Sequence, residues 1–223
     1  MFQRYAIYYT PAGGLAEVGA SWLGWDLRIG IEVPHPVIDG LKVAALTRRP
    51  HKYGFHGTIK PPFALAAGTT EAMLTKEFEA LCTQLVPVTL DALEIKTIAH
   101  FIALVPVGDQ TELARLAAEV VKDLDHFRAP SSEGELARRR QANLTPSQNK
   151  NLTTWGYPYV MEDFRFHITL TGRIKGDMPT VAARLREHFA PYIQKPFHVD
   201  TLTLTRQDDE GMFHEIQRFP LQG

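Results

Sequence analysis

Tyr53-Gly-Phe-His56-Gly-Thr58-Ile-Lys60 and Phe164-Arg-Phe-His167-Ile-Thr169-Leu-Thr171 are the two stretches whose reading decides the fold. Each holds a histidine, a threonine two places later, and apolar or small residues between. Residues two apart on a strand share one face. The first stretch therefore predicts His56, Thr58 and Lys60 on one side and Phe55, Gly57 and Ile59 on the other. The second predicts Arg165, His167, Thr169 and Thr171 opposite Phe164, Phe166, Ile168 and Leu170. An apolar side in a core and a polar side lining a cleft is the economical reading. Two such strands in one chain suggest one cleft built from two halves.

Working outward, Arg4 to Thr10 reads as an aromatic and branched strand stopped by Pro11 and the Gly13-Gly14 pair. A short helix is expected over about Leu15 to Leu23, and Pro34 and Pro36 break any regular element in the following segment. The first histidine strand is expected over Lys52 to Lys60, ended by Pro61-Pro62. Thr69 or Thr70 caps a helix whose stripe is Met73, Leu74, Phe78, Leu81, Cys82 and Leu85. Val88 to Thr97 and Phe101 to Val107 form a hairpin. Asp109-Gln-Thr-Glu112 is a capping box opening a helix to about Phe127, and Ser132-Glu-Gly-Glu135 opens a short basic helix with Arg138, Arg139 and Arg140. Asn143 to Tyr159 is expected as a long loop, of the kind often functional in compact proteins. The second histidine strand spans about Glu162 to Gly172. A helix over about Pro179 to Phe189 and strands near Phe197–Arg206 and Gly211–Arg218 complete the chain.

After each histidine strand the order is the same: helix, strand, tight turn, strand. The histidines stand 111 residues apart, and that offset keeps element types aligned. The fold class is α+β: a two-lobed, duplicated arrangement about a pseudo-two-fold axis, with antiparallel sheets and helices on the outer faces. It is expected as one bilobal domain over residues 1–223, lobe one about 1–108 and lobe two about 109–223, terminal strands exchanged between lobes.

Composition narrows the function. With 223 residues, 44% of them hydrophobic, the chain can bury a substantial core. Lys+Arg at 24 against Asp+Glu at 25 gives no global attraction to nucleic acid or to an anionic membrane, so a phosphate ligand needs a local cluster. The single cysteine, Cys82, excludes an intramolecular disulfide and a thiolate metal cage. The opening Met1-Phe-Gln-Arg-Tyr-Ala-Ile-Tyr-Tyr reads as the entry to a strand rather than a signal peptide, and no window is long and apolar enough to span a bilayer. A cytoplasmic location without membrane contact is the expectation.

Two histidines on opposite sides of a scissile bond can serve as base and acid in one displacement. Thr58 and Thr169 can donate to non-bridging phosphoryl oxygens, and Lys60 and Arg165 add cationic donors on the same faces. In-line attack on a phosphodiester is well served, with the imidazoles roughly 5–8 Å apart and no metal or cofactor needed. Zinc is the competing chemistry: the pair offers two ligands, with His51 a third candidate, against the usual minimum of three.

His56-Gly-Thr58-Ile and His167-Ile-Thr169-Leu resemble the two signatures of the 2H phosphoesterase superfamily, which includes RNA 2′,3′-cyclic phosphodiesterases. The strings Tyr53–Phe63 and Phe164–Gly172 resemble more narrowly the DUF1045 branch, labelled as phosphonate-metabolism proteins. The resemblance implies a two-lobed fold with the histidines on central strands and a groove between lobes. It implies that one histidine activates the attacking oxygen, the other protonates the leaving oxygen, and Thr58 and Thr169 hold the phosphate. By the usual product of that superfamily, His56 would be the acid and His167 the base. It also makes a cyclic ribose phosphate or related small phosphodiester attractive as substrate.

Tyr53, Tyr157 and Tyr159 lie near the motifs and are candidates to stack on a base or cover a sugar, with core or rim packing as the alternative. Arg138 and its neighbours reach either a terminal phosphate or solvent. The expected partner is a small phosphodiester or nucleotide-like ligand, an RNA end being a further case and long RNA a poorer one given the neutral charge. A binding module without turnover, and ligation of RNA ends by the same two-histidine chemistry in reverse, are the rival functions.

Overall fold

The computed structural model describes residues 4–223. Met1 to Gln3, read above as the lead into the first strand, lie outside the described residues. The chain runs β1 (Arg4–Tyr9), α1 (Gly13–Leu23), β2 (Trp25–Asp26), β3 (Ile31–Glu32), α2 (Val43–Thr47), β4 (Gly57–Phe63) and α3 (Glu71–Cys82). It continues through β5 (Val88–Leu90), β6 (Ala92–Ile98), β7 (Phe101–Val107), α4 (Thr111–Asp123), α5 (Glu133–Arg140) and α6 (Pro146–Trp155). Last come β8 (Ile168–Thr169), α7 (Met178–Phe189), β9 (Phe197–Val199), β10 (Thr201–Gln207) and β11 (Phe213–Pro220).

Seven strands form one antiparallel sheet in the order β11-β10-β1-β4-β8-β7-β6. The two motif strands, β4 and β8, are neighbours, paired at Gly57 and Ile168. Each later hairpin crosses to the other motif's side of the sheet: β6–β7 lies beside β8, and β10–β11 lies beside β1, which in turn pairs with β4. Between the crossings, β5 and β9 pair antiparallel, with Thr89 opposite His198. Both motif strands and the hairpins that follow them thus lie in one continuous sheet. The architecture is α+β with antiparallel sheets.

Helices cover one face. Leu74, Phe78 and Cys82 of α3, Leu113, Leu116 and Val120 of α4, and Val181, Leu185 and Phe189 of α7 share a core with Ile7, Ile59, Ile102, Leu104, Ile168 and Leu204 of the sheet. Burying each large apolar side chain contributes ~1.5–3 kcal/mol. Met73, read as part of the α3 stripe, is instead 49% exposed.

Three local readings change. Asn143–Tyr159 is not a loop: Pro146 at the first helical position and a Thr145–Gln148 capping box start α6. Asp109–Glu112 is not a capping box. The Asp109 carboxylate accepts from the Thr111 amide and hydroxyl, and the N-cap residue is Gln110. The histidine strands are short. β4 starts only at Gly57 and runs through Pro61-Pro62 to Phe63, while β8 has two residues. Prolines in a central strand are tolerated here because β8 pairs with β4 only at Gly57 and because the β1–β4 ladder is bulged. Among the described residues, no helix is long and apolar enough to cross a membrane.

Candidate active site

His56 and His167 each sit one residue before their strand. Extending the Gly57–Ile168 register by one residue sets His56 across from Thr169 and Thr58 across from His167. All four side chains then share the face turned away from the helices, the two imidazoles on a diagonal. Diagonal neighbours in an antiparallel pair stand ~7–8 Å apart, a gap that suits a phosphate.

Both imidazoles are oriented in the same way. His56 Nδ1 lies 3.0 Å from the Gly54 carbonyl and His167 Nδ1 lies 2.9 Å from that of Arg165. A carbonyl only accepts, so each Nδ1 carries a proton and each Nε2 is left for the cleft. The Gly54 carbonyl is placed by a φ of 68°, which glycine adopts without strain, after a 3-10 turn over Pro50–Tyr53. Thr58 Oγ1 lies 3.1 Å from His56 Nε2. Gly57 is required for close approach: a Cβ there would clash with Cζ of Phe166, whose ring passes beneath the strand.

Tyr8 of β1, opposite Thr58, stacks on His56 with ring centroids 3.6 Å apart and an interplanar angle of 19°. Burial, with the charge of His167 adding to it, lowers the His56 pKa from 6.5 to about 4, while the Gly54 carbonyl pulls the other way. His56 is thus neutral at pH 7 in the free protein. His167 is half-buried, beside Phe101 at 5.8 Å.

Lys60 is not in the cleft. Tyr8 faces Thr58, yet the next β1 residue, Ile7, faces Lys60, so two residues of β4 oppose one of β1 and a bulge falls at Ile59. The bulge reverses the alternation and sends Lys60 to the helix side. It is 2% exposed there, donating to the Val121 carbonyl at the end of α4 at 3.0 Å and lying 3.6 Å from Asp125. Thr171, placed by alternation with His167, is likewise buried, its Oγ1 accepting from the Ile102 amide at 3.0 Å. Leu170 and Thr171 both donate their amides to the Ile102 carbonyl, which breaks the strand's regular alternation.

The other candidates divide. Arg165 is exposed, and its Nη1 donates to the carbonyls of Glu162 and Phe164. Tyr53 packs against Ala6, Tyr8 and Phe213. Tyr157 and Tyr159 make an edge contact at 5.8 Å, Tyr159 at the surface. Arg138 points to solvent. Helical spacing turns its neighbour Arg139 inward instead, with the guanidinium 4.9 Å from the Tyr157 ring centroid and bonded to Glu135 at 2.9 Å. His51, the candidate third zinc ligand, holds the Leu23 carbonyl at 2.9 Å through Nδ1. Among the described residues no group of three His, Cys, Asp or Glu side chains is arranged to hold a metal ion. Tyr8, which stacks on His56, is the residue beside the motif that sequence reasoning missed. The Tyr5–Tyr9 strand is visible in sequence, but its neighbour in the sheet is not.

A family described as "Protein of unknown function (DUF1045)" matches residues 58–214. The chain is 36% identical over 231 residues to ribose 1,5-bisphosphate phosphokinase PhnN of Janthinobacterium sp. (strain Marseille), covering 99% of this chain and 51% of that protein. It is 34% identical over 229 residues to the protein of the same name from Laribacter hongkongensis (strain HLHK9), covering 96% and 51%. The chain thus spans about half the length of the curated relatives it matches. Among solved structures, E. coli LigT complexed with 3′-AMP is similar over 100% of both chains, at 13% identity and a TM-score of 0.49.

Proposed function

We propose that this chain, which belongs to the DUF1045 family, is a two-histidine phosphodiesterase that opens a small or terminal cyclic phosphodiester. One observation carries the reading: the Gly57–Ile168 pairing sets two histidines and two threonines on one open face, about a phosphate's width across. In the reaction, His56 Nε2 takes a proton from water as the water oxygen bonds to phosphorus. The ester oxygen departs and takes a proton from Nε2 of His167, which enters the step as the imidazolium because its Nδ1 proton stays on the Arg165 carbonyl. Thr58 and Thr169, with Arg165, donate to the non-bridging oxygens as their charge grows. The low pKa of His56 makes it the neutral partner, which reverses the acid and base roles implied by the superfamily resemblance. An anion in the cleft raises that pKa toward the working range.

A 2′,3′-cyclic nucleotide and a cyclic ribose phosphate both fit this chemistry. The kinase name of the curated relatives belongs to proteins about twice as long, and this sequence contains no Gly-x-x-x-x-Gly-Lys-Ser/Thr phosphate loop. That name does mention a ribose carrying phosphate esters, the class of product that opening a cyclic ribose phosphate leaves, and a role in phosphonate metabolism accords with it. The test is a screen of 2′,3′-cyclic nucleotides, cyclic ribose phosphates and ADP-ribose cyclic phosphates with EDTA present, products read by phosphorus NMR. Expected is one monoester regioisomer. Turnover abolished by EDTA and restored by a metal ion would contradict the two-histidine chemistry.

A further inference from the structure

Opening a cyclic diester places unlike groups at its two ends. The attacking end holds a water, while the leaving oxygen stays bonded to the rest of the substrate. The two imidazoles have surroundings that differ in the same sense. Tyr8 lies flat on His56, centroids 3.6 Å apart and planes at 19°, and is itself 1% exposed, so it closes off that face of the ring. Beside His167 the aromatic neighbour is Phe101, 5.8 Å away and tilted by 56°. Phe101 is half-buried, so part of its ring stays open.

The sheet register brings Phe101 to the cleft. Ala103 of β7 faces Thr169, and ladder partners share a face. Phe101, two residues before Ala103 on the same strand, is therefore on the face that carries the motif side chains. Extending the Leu104–Ile168 pairing by one residue sets His167 across from Val105, so Ala103 stands between that position and Phe101. A side chain this small leaves the two rings room to approach. Ile98 of β6, half-buried and directly opposite Phe101, continues the apolar surface outward. In the strand order β4-β8-β7-β6, this surface extends from His167 to the side away from the first motif.

From this asymmetry, and resting on the catalytic reading of the histidine pair, we infer that Phe101 is a specificity-determining residue. Its open ring, with Ile98, forms a platform for the C–H face of the furanose that carries the leaving oxygen. His167 Nε2 protonates that oxygen, and the sugar bonded to it then lies beside Phe101. Sugar C–H groups pack on an aromatic face by dispersion and by attraction to its negative centre. The substrate class narrows to cyclic phosphates fused to a sugar ring, in preference to those of open-chain polyols.

Ribose 2,3-cyclic phosphate and glycerol 1,2-cyclic phosphate share the reacting group and differ in the sugar ring. Expected from the native chain is a kcat/KM ~10-fold or more higher for the ribose compound. Phe101→Leu, which fills the space without a flat face, and Phe101→Ala should each bring that ratio toward one, and Phe101→Tyr should keep it. A ring that only holds His167 in place would lower both rates together and preserve the ratio, which overturns the platform. Equal opening of both compounds by the native chain also overturns it and leaves the catalytic reading standing. Calorimetric titration with ribose 2-phosphate and glycerol 2-phosphate reads the same preference without turnover. A Phe101-dependent preference for the ribose ester in a chain that opens neither cyclic compound would uphold the platform and sink the catalytic reading. Equal binding in such a chain would overturn both.

Discussion

Replacing Lys60 with methionine separates the buried role of this side chain from the phosphate-binding role that strand alternation assigns it. Methionine has similar length and fills the same slot, where the ammonium now lies 5.2 Å from the Phe63 ring centroid. Burial lowers the Lys60 pKa from 10.5 to about 8, partly offset by Asp125. That difference corresponds to ~3 kcal/mol against the charged form in the folded protein. At pH 7, Lys60→Met removes this cost but also loses the bond to the Val121 carbonyl, worth ~1–3 kcal/mol. Asp125 keeps Arg128, at 2.8 Å and 3.0 Å. The opposing effects leave stability at pH 7 within ~2 kcal/mol of the native value. Between pH 8 and 10.5 the folded protein has released this proton while the unfolded chain still holds it. The unfolded state then binds more protons, so native stability rises with pH. Urea unfolding of both proteins at pH 7 and pH 10 reads the effect, every other titrating group cancelling in the difference. The native chain should gain ~2–3 kcal/mol relative to Lys60→Met over that interval, with kcat/KM at pH 7 within about threefold. A flat difference, or a ~100-fold loss of turnover in a folded variant, would return Lys60 to the cleft and refute the bulge argument.

Other outcomes follow from the same geometry. Gly57→Ala forces a Cβ against the Phe166 ring and should cost ~1–3 kcal/mol in urea unfolding and lower turnover through the adjacent His167; native-like behaviour would mean the ring does not pass beneath the strand. Tyr8→Leu admits water to His56 and raises its pKa from about 4 toward 6.5, so the acid limb of the kcat/KM profile, below which the base is protonated, should move to higher pH; an unmoved limb would show that Tyr8 does not desolvate His56. Thr171→Val leaves the buried Ile102 amide without its hydroxyl acceptor and should destabilise by ~1–3 kcal/mol while folded enzyme keeps its kcat; a collapse of kcat without loss of stability would place Thr171 in the cleft.

Much of the fold was legible because its signals are local. The apolar stripe and Thr70 cap of α3, the β6–β7 hairpin and the repeated order after each histidine follow from periodicity and turn chemistry. So did the expectation that the two motifs come together, since His-x-Thr occurs twice at matching places in that order and their strands pair at Gly57 and Ile168. What stayed hidden depends on strand neighbours. The Ile59 bulge exists because β1 and β4 meet out of step, and nothing in Thr58-Ile-Lys60 alone shows that Lys60 turns to the helices. Tyr8 meets His56 only through a long-range pairing of β1 with β4. The α6 helix was readable in principle: Thr145-Pro-Ser-Gln148 carries both a capping box and a first-turn proline, signals outweighed by the polarity of the surrounding residues. Arg139 rather than Arg138 faces inward because α5 presents the side that carries Glu135, four residues earlier.

The most direct measurement is single-turnover hydrolysis of a cyclic ribose phosphate in EDTA by the native chain, His56→Ala and His167→Ala, each variant shown to be folded by circular dichroism and urea unfolding. Expected is rapid opening to one monoester by the native chain and a loss of ~10²–10⁴-fold in each variant, since each removes one of the two proton transfers. Native-like rates in both folded variants would contradict the two-histidine mechanism.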